Sequence, residues 1–400
     1  MINIEHLRVF LKAARCPELW QLGLRPLIGL TKASISTRPV TAPSGTIVFA
    51  NCPPIGTLGF KRYLRGLKRL AAGSNVPLVA HISITDRCSY NCQRCSNLRR
   101  RSSDPEKEKI IRLLEDLKQA GTASIAFTGG EPLLRDDLEL FVAACLPEMA
   151  PMVFTTGEGL DKSRAQRLRE AGLVGAFISL DHYLPQEHDS IRGRNGAFEA
   201  AKEAISLCLS AGIYTAAQTV VTSSLLEDGV MDRFLAFCLR LGVHDVVLLE
   251  PVAVCEKGCE GELDDAARQK LVDLHLRAVH DWSLPKVTAM SFLEDANFFG
   301  CQAGVTFLYI SAAGDVFPCD FAPMSFGNVY EIGLAVIFQR LAKTFPTPSG
   351  QCLALQVRNS PDQLLPVPWQ ALGKQPNKTD CRCFAPPALM RWFLPSERIR

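Results

Sequence analysis

Strand-like runs alternate with amphipathic helices through the middle of this 400-residue chain. Short apolar, β-branched stretches indicate buried strands, and apolar residues spaced three and four apart indicate helices between them. Strands joined in this way form a parallel sheet, because each helix returns the chain to the same end of the sheet. Strands are expected at 78–84, 124–127, 152–154, 174–180, 215–221 and 245–249, with helices at 107–120, 136–145, 162–171, 197–211 and 228–241.

These six units predict an α/β fold, a partial (β/α)6 TIM-like barrel over residues 77–285. Residues 1–76 are expected to form an N-terminal helical or irregular extension. Residues 286–400 are expected to form a C-terminal α+β extension rich in cysteine. Because functional residues of such barrels lie at the carboxyl ends of the strands, each strand exit is a candidate for chemistry.

Composition limits the class of protein. Lys and Arg number 44 and Asp and Glu 41, so the net charge of +3 gives no sign of a nucleic-acid partner. The first apolar stretch, residues 19–30, is short and interrupted by Arg25, which indicates neither a signal peptide nor a membrane span. A cytoplasmic protein is therefore expected. In that reducing compartment the 15 cysteines suit metal ligation better than disulfides.

Three cysteines follow the first barrel strand. Cys88, Cys92 and Cys95 lie in one loop, with three and then two residues between them. Thiolates at this spacing suit three irons of a [4Fe-4S] cluster and leave the fourth iron open to another ligand. A structural zinc site is the alternative, but it needs four ligands, and no fourth Cys or His lies nearby in the sequence. The residues alone favour the cluster and leave zinc and free thiols open.

Glycines and polar residues follow the next three strands. Gly129 and Gly130 would let the backbone approach a ligand closely, and Glu131 could hold an ammonium group, although an ordinary tight turn uses similar glycines. The other polar side chains could receive a carboxylate or a ribose. The segments concerned are Thr128-Gly129-Gly130-Glu131-Pro132, Thr155-Thr156-Gly157, Ser179-Leu180-Asp181 and, before the next helix, His188-Asp189-Ser190-Ile191-Arg192-Gly193.

Together, CxxxCxxC, GGEP, TTG, and SLD with a following IRG resemble a radical S-adenosylmethionine (SAM) enzyme, in the branch with a C-terminal cysteine-rich extension. The likeness covers roughly residues 77–335. It implies that a reduced cluster cleaves SAM to methionine and a 5′-deoxyadenosyl radical, which abstracts a hydrogen atom from substrate. It also implies a one-electron reductant, such as flavodoxin or ferredoxin, as a partner. The cofactor would carry the chemistry and the protein would orient it.

The resemblance assigns the cluster to Cys88, Cys92 and Cys95. Relatives commonly have an aromatic residue or histidine before the third cysteine, where this chain has Arg94. Tyr90 could substitute for it in packing against the adenosyl group.

The resemblance also places SAM against the strand exits. Its amine, carboxylate and ribose would each meet a different strand end. The residues so assigned are Gly129, Gly130 and Glu131 for the amine, Ser179 and Arg192 near the carboxylate, and Asp181 near the ribose or substrate.

The C-terminal third contains a second candidate metal site. A strand at 306–310 and a hairpin through 311–314 would bring Cys301 and Cys319 together. The spacing of these cysteines around Gly314 is similar to the twitch and SPASM extensions, which bind auxiliary clusters. Two complete clusters would need about eight cysteines, so one auxiliary cluster is expected. Its predicted ligands are Cys301, Cys319, Cys381 and Cys383, with Cys352 able to replace one of them.

The remaining cysteines have weaker signals. Cys145, Cys208 and Cys238 lie within predicted helices and are expected to be small buried apolar side chains. Cys16 and Cys52 have no partner by spacing.

The loop after the sixth strand carries Cys255 and Cys259, which are either free thiols or ligands or a thiol pair facing the substrate. Gln218 and Glu250 could point into the same cavity. The stretch 344–379, rich in proline and polar residues, is expected to be a long loop that forms a lid or lacks order.

The sequence does not identify the substrate. Peptide or protein maturation is preferred, and a lipid or a small-molecule cofactor precursor is the alternative. The basic amphipathic helix at 58–70 either packs on the barrel mouth with a solvated basic face or forms a surface for a membrane or another anionic partner, which allows peripheral membrane contact. A hypothesis of another class is a non-enzymatic metal-binding protein that uses the three cysteines to hold zinc.

Overall fold

The computed structural model describes residues 4–97, 102–252, 263–356, 367–368 and 386–398. Its strands are β1 (Val40–Ala42), β2 (Gly45–Ile47), β3 (Val79–Thr85), β4 (Ser124–Gly129), β5 (Ala150–Thr155), β6 (Gly175–Ser179), β7 (Tyr214–Val220), β8 (Asp245–Leu249), β9 (Val287–Ala289), β10 (Phe307–Ile310), β11 (Val316–Phe317), β12 (Met324–Ser325) and β13 (Val367–Pro368).

Helices cover most of the remaining described residues. They are α1 (Ile4–Ala13), α2 (Pro17–Trp20), α3 (Leu24–Ile35), α4 (Leu58–Ala71), α5 (Lys107–Ala120), α6 (Leu138–Cys145), α7 (Lys162–Glu170), α8 (Pro185–Arg192), α9 (Ala197–Ser210), α10 (Val230–Leu241), α11 (Asp265–His280), α12 (Met290–Leu293), α13 (Val329–Ile332), α14 (Leu334–Thr344) and α15 (Leu353–Gln356). None of the helices in the described ranges has both the length and the apolar content needed to span a bilayer.

Nine strands form one sheet, in the order β11-β10-β3-β4-β5-β6-β7-β8-β9. All of its pairs are parallel except β10 with β11. Strands β3 to β8 are the six units expected from the sequence, and the α/β fold class is confirmed. Within the described residues the sheet ends at β11 and β9 and does not close on itself, in keeping with a partial TIM-like barrel.

The sheet continues beyond the expected domain boundary at 285. Strand β9 begins at Val287 and pairs with β8, and β10 pairs with β3 so that Tyr309 lies opposite His81. The expected hairpin joins β10 to β11, with Gly314 in the left-handed region at φ 93°. The C-terminal segment therefore extends the barrel sheet at both edges.

Alternation along the strands gives the sheet two faces. Ile125 and Phe127 of β4 pack in the large apolar core under the crossover helices. Ala126 faces the interior, where a second cluster includes Phe177 and Tyr214. The β1–β2 hairpin contributes the fully buried Ile47 to that cluster, close to the first residue of β7. The N-terminal hairpin thus fills the barrel interior at the end where the strands begin.

The cysteines expected to be buried are buried. Cys145, Cys208 and Cys238 lie in α6, α9 and α10 and belong to the main apolar core. Burial raises the pKa of each thiol, which is typical of structural cysteines packed among apolar side chains. Cys16 and Cys52 are buried in a separate apolar cluster formed by the N-terminal helices and the C-terminal residues.

Helix α4 packs on the protein with its apolar face. Phe60, Leu64 and Leu70 are buried in the N-terminal cluster. Arg62 donates to the carbonyl of Thr122, at the start of the second strand unit, over 2.8 Å. The structure shows this helix packed on the barrel, but at the amino ends of the strands, where Arg62 and Arg69 reach the residues before β4, and not at the mouth as expected. Its buried apolar face is not free to meet a lipid.

A buried ion pair fixes the amino ends of the last strands. Lys286 Nζ lies 3.1 Å from Asp245 Oδ2 and donates to the carbonyl of Val48 over 2.9 Å. Tyr214 and Thr288 donate hydroxyl hydrogen bonds to the same carboxylate, each over 2.8 Å. Both charged groups are almost fully buried, so each depends on the other for charge compensation.

We expect Lys286→Met to lower the free energy of unfolding by about 3–5 kcal/mol, because it leaves the Asp245 carboxylate buried without its cation. Urea unfolding followed by circular dichroism measures the loss. Lys202→Met is the control, because Lys202 pairs with Glu199 on the surface of α9 and its removal should cost no more than about 1 kcal/mol. Equal losses in both variants would contradict this account.

Candidate active site

The loop after β3 carries the three clustered cysteines, and α8 supports it. The backbone N–H of Gln93 donates to the carbonyl of Ile191 over 3.0 Å, and its side chain donates to the carbonyl of Ser190 over 3.1 Å. Gly193, at φ 59° after α8, lies so close that an added Cβ would be 2.3 Å from the carbonyl oxygen of Asn91. From the sequence, residues 188–193 were expected to precede a helix; in the structure residues 188–192 belong to α8 itself, which holds the cysteine loop.

Cys88, Cys92 and Cys95 all border one cavity. Partial burial, together with the charges of Glu131, Cys92 and Cys95, raises the pKa of the Cys88 thiol to about 11. The three sulfur atoms are therefore near enough to repel one another as thiolates. In the ranges that the structure describes, no three Cys, His, Asp or Glu side chains surround a single point as ligands of one metal ion. A cubic cluster does not require this, because each cysteine binds a different iron.

Gly129 and Gly130 bring the end of β4 against the cysteine loop. The N–H of Gly130 donates to the carbonyl of Thr85 over 2.7 Å, and that of Glu131 donates to the carbonyl of Arg87 over 2.8 Å. A Cβ added to Gly130 would lie 2.0 Å from the Arg87 oxygen, and one added to Gly129 would lie 2.1 Å from the Thr85 oxygen. Only glycine allows this approach, which leaves the backbone of both residues at the cavity wall.

The carboxylate of Glu131 lies behind the cavity wall. One oxygen accepts hydrogen bonds from the Leu133 N–H (3.0 Å) and the Thr155 hydroxyl, and the other accepts from the Thr156 N–H (2.7 Å) and hydroxyl (2.6 Å). Burial nevertheless raises the pKa of Glu131. Four donors occupy the lone pairs of the carboxylate, so an amine held by Glu131 would have to share an oxygen with them. Thr155 and Thr156 border the cavity, and Glu131 does not.

Ser179 ends β6 and Arg192 ends α8, and both border the cavity. Arg192 Nε forms an ion pair with Asp181 Oδ2 at 2.6 Å, and Nη1 lies 3.9 Å from Cys92 Sγ. Burial opposes the charge of Arg192 most strongly, but Asp181 and Cys92 outweigh it and raise the pKa of the guanidinium. Asp181 is buried, does not border the cavity, and donates its N–H to His188 Nδ1 over 3.0 Å. In this structure Asp181 positions Arg192 instead of facing the cavity where a ribose was expected.

A second group of cysteines forms in the C-terminal segment. Cys301 and Ser349 exchange backbone hydrogen bonds of 2.8 and 3.1 Å, which sets Cys352 beside Cys301. A hydrogen bond between the two thiols lowers the pKa of Cys352 to about 7 and raises that of Cys301. Cys319 lies near both, and burial, Asp320 and Cys352 raise its pKa. The structure thus brings the expected Cys301 and Cys319 together with Cys352.

One cavity of about 1060 Å³ is bordered by both cysteine groups. Gln218 and Glu250, which the sequence suggested for this space, line it. Arg268 of α11 also lines it, with Nε 2.7 Å from Glu250 Oε2. The wall between the two cysteine groups therefore carries an amide, a carboxylate and a guanidinium.

Two further residues at this cavity were not found from the sequence. His81 of β3 has Nδ1 3.1 Å from both carboxylate oxygens of Asp320. Its ring packs against Phe154 and Phe307, and its Nε2 is buried without a hydrogen bond to the described residues. The available signals were the interior phase of His81 in its strand and the position of Asp320 directly after Cys319.

Several expected residues lie outside the described ranges. These are Cys255 and Cys259 in the loop after β8, Cys381 and Cys383 among the proposed auxiliary ligands, and most of the stretch 344–379.

Two protein-family models match the chain. The Radical SAM superfamily matches residues 82–232, which include the cysteine loop and the exits of β4, β5 and β6. The iron-sulfur cluster-binding domain SPASM matches residues 301–351, which include Cys301 and Cys319. The chain belongs to the radical SAM superfamily. With its SPASM-type extension it is an enzyme whose cofactors are a [4Fe-4S] cluster, SAM and an auxiliary iron-sulfur cluster.

Curated relatives of this radical SAM protein have different substrates in their names. It is 27% identical over 293 residues to the AdoMet-dependent heme synthase of Nitratidesulfovibrio vulgaris, covering 66% of this chain and 79% of that protein. It is 28% identical over 269 residues to the GTP 3′,8-cyclase of Acidothermus cellulolyticus, covering 60% of this chain and 73% of that protein. These relatives support the radical mechanism and leave the substrate open.

Solved structures show the same fold. Streptococcus suis SuiB bound to the precursor peptide SuiA matches with a TM-score of 0.57 at 17% identity, over 73% of this chain and 72% of SuiB. Native anSMEcpe with bound AdoMet matches with a TM-score of 0.54 at 18% identity, over 66% of this chain and 80% of that one. At these identities the likeness concerns the fold alone.

We expect Gly130→Ala to disrupt the cysteine loop, because the new methyl group would overlap the carbonyl of Arg87. The variant should lose about half of its iron after anaerobic reconstitution, with a matching loss of iron-sulfur absorbance, because the auxiliary cluster is retained. Gly175→Ala in β6 is the control, because a Cβ there meets its nearest neighbour at 3.4 Å, an ordinary contact. Normal iron content in Gly130→Ala would show that this close approach is not needed for cluster binding.

Proposed function

We propose that Cys88, Cys92 and Cys95 hold the [4Fe-4S] cluster and that substrate is activated in the cavity shared with the C-terminal cysteines. The observation that supports this most directly is that both cysteine groups border one cavity. When bound, the cluster supplies the electron that cleaves SAM, and the resulting 5′-deoxyadenosyl radical abstracts hydrogen from substrate. Membership of the radical SAM superfamily argues against the alternative of a non-enzymatic zinc protein.

The strand exits fit the methionyl end of SAM. Gly129 and Gly130 offer close-packed backbone, and Ser179 and Arg192 offer a hydroxyl and a guanidinium, groups that suit a carboxylate. Arg192 pairs with Asp181 through its Nε, and its guanidinium has further N–H groups that can donate to a ligand. It also lies beside Cys92, where a positive charge favours the thiolate that iron requires.

Glu131 and Asp181 are proposed as positioning residues. Each carboxylate is buried behind the cavity wall and bonds to residues that border the cavity. Glu131 accepts hydrogen bonds from Thr155 and Thr156, and Asp181 forms an ion pair with Arg192. Contact of either carboxylate with SAM stays a prediction from the family resemblance.

The auxiliary cluster is assigned to Cys301, Cys319 and Cys352, which the structure brings together. Cys381 and Cys383 remain the proposed source of a further ligand. A flavodoxin or ferredoxin would supply electrons in this proposal.

Peptide or protein maturation is the first candidate for the reaction. Its support is the set of polar groups along the cavity wall, where His81, Gln218 and Arg268 offer donors and acceptors that a peptide backbone could use. The cavity volume of about 1060 Å³ has room for a substrate segment together with the cofactors.

An amphiphilic or lipid substrate is the second candidate, and a different part of the cavity favours it. One arm of the cavity reaches into the apolar cluster formed by the N-terminal helices and the C-terminal residues. We call this the apolar arm. It is lined by Leu30, Tyr63, Leu67, Leu70, Met390 and Phe393.

Reductive SAM cleavage tests the cluster assignment. Wild-type protein, reconstituted anaerobically and reduced with dithionite, should convert SAM to 5′-deoxyadenosine and methionine, and Cys92→Ala should form neither above background. Cys238→Ala is the matched control, because that thiol is buried in α10 away from the cavity. Absence of 5′-deoxyadenosine from the wild type, or its presence in Cys92→Ala at wild-type rates, would refute the proposal.

Iron content tests the auxiliary site separately. The double variant Cys301→Ala and Cys319→Ala should fall from about eight to about four irons per chain, because one cubic cluster is lost and the other is retained. Reductive SAM cleavage without substrate should persist in it. Unchanged iron would show that these cysteines are not cluster ligands.

A further inference from the structure

Helix α1 carries apolar side chains on two opposite faces. Val9 and Ala13 are buried against the rest of the protein. Ile4, Leu7 and Leu11 follow the opposite face at spacings of three and four residues and point away from it. Leu7 is 51% exposed and Leu11 is 56% exposed, so the described residues leave this second apolar face uncovered.

The next two helices each add an exposed apolar side chain. Trp20 Nε1 donates to the carbonyl of Ala14 over 2.9 Å, which holds the indole ring beside the end of α1. Trp20 is 56% exposed, and Leu24, at the start of α3, is 74% exposed. We call this surface the N-terminal apolar patch. It consists of Ile4, Leu7, Leu11, Trp20 and Leu24.

The concentration of these side chains is unusual for a surface. With Phe10, six of the 17 large apolar side chains exposed in the described residues lie between residues 4 and 24. Single exposed apolar residues are normal on proteins, whereas a grouped set marks a surface that another molecule covers.

The segment that carries the patch has an excess of positive charge, which favours an anionic occupant. From residue 4 to residue 32 the chain has five Lys or Arg residues and two Asp or Glu residues. Both acids are compensated, Glu5 by Arg8 and Glu18 by Arg65. A basic, apolar helical surface with an exposed indole has the composition of segments that lie in a membrane interface.

Helix α3 connects the patch to the cavity. Leu24 is exposed at its start, and Leu30 lines the apolar arm about 9 Å further along the helix axis. Lipid chains match both apolar surfaces, whereas a second copy of this chain would account for the patch and not for the arm.

We propose that the N-terminal apolar patch docks this enzyme on an anionic lipid surface. The surface is distinct from helix α4, whose apolar face is buried. It does not depend on which residues bind the clusters.

Co-sedimentation with vesicles tests the proposal. The reconstituted protein, kept anaerobic, should pellet with vesicles of phosphatidylcholine and phosphatidylglycerol in equal parts and much less with phosphatidylcholine alone. Added salt should weaken the binding, since screening reduces attraction to the anionic lipid. In Leu7→Glu with Leu11→Glu, the partition coefficient should fall at least about tenfold, because two buried apolar contacts are lost and two negative charges are gained.

The matched control is Leu140→Glu with Leu239→Glu, which adds the same charges at similarly exposed leucines on α6 and α10. The partition coefficient of this control variant should fall much less. Both double variants should retain reductive SAM cleavage, which separates loss of docking from misfolding and from failure of the proposed function.

Three results would overturn the proposal. Wild-type protein could fail to bind the anionic vesicles, or the two double variants could lose binding equally. The lipid-free protein could also self-associate in sedimentation velocity and become monomeric in Leu7→Glu with Leu11→Glu, which would make the patch an interface between copies.

Discussion

The arrangement of the site depends on the four hydrogen bonds that the buried Glu131 carboxylate accepts. They tie the exit of β5 to the exit of β4, and hydrogen bonds to a charged acceptor are worth about 1.5–3 kcal/mol each. With Glu131 fixed, its own N–H is held on the carbonyl of Arg87, at the start of the cysteine loop. A single side chain therefore sets the relative position of three successive strand exits.

A second buried carboxylate, Asp181, acts in the same way on the other side of the cysteine loop. Asp181 is buried and paired with Arg192, which lies beside Cys92, while α8 holds the loop through its backbone. Burying a carboxylate is costly unless it is paired or fully hydrogen-bonded, and both carboxylates meet that condition. Thr155, Thr156 and Arg192, which border the cavity, are consequently held in place by anions that lie behind its wall.

Sequence was sufficient for features that depend on local patterns. The six strand units, the hairpin after residue 310 and the burial of Cys145, Cys208 and Cys238 all follow from periodicity and turn residues, and the structure confirms them. The family also followed from short motifs, because CxxxCxxC, GGEP, TTG and SLD each lie at the end of a strand.

Contacts between residues far apart in the sequence could not be predicted, because they leave no local pattern. Helix α8 is short and polar, and His188 is its one buried residue among those described, so its periodicity gave no helical signal. Three of the four donors to Glu131 lie on the next strand unit, and the neighbour of Cys352 is set by a backbone bridge at Ser349. Which carboxylate faces a cavity and which stands behind it depends on packing that composition does not encode.

The parallel pairing of β10 with β3 has a consequence for the order in which the protein is assembled. During synthesis β3 and the cysteine loop emerge early, whereas the strand that covers the edge of β3 is made only after the whole barrel. Contacts between segments so far apart form slowly, because a long loop must close first. Until then one side of β3 is an open sheet edge, a site where strands of other molecules can add. The newly made chain should accordingly need protection from aggregation for longest at β3, the strand that leads into the cysteine loop.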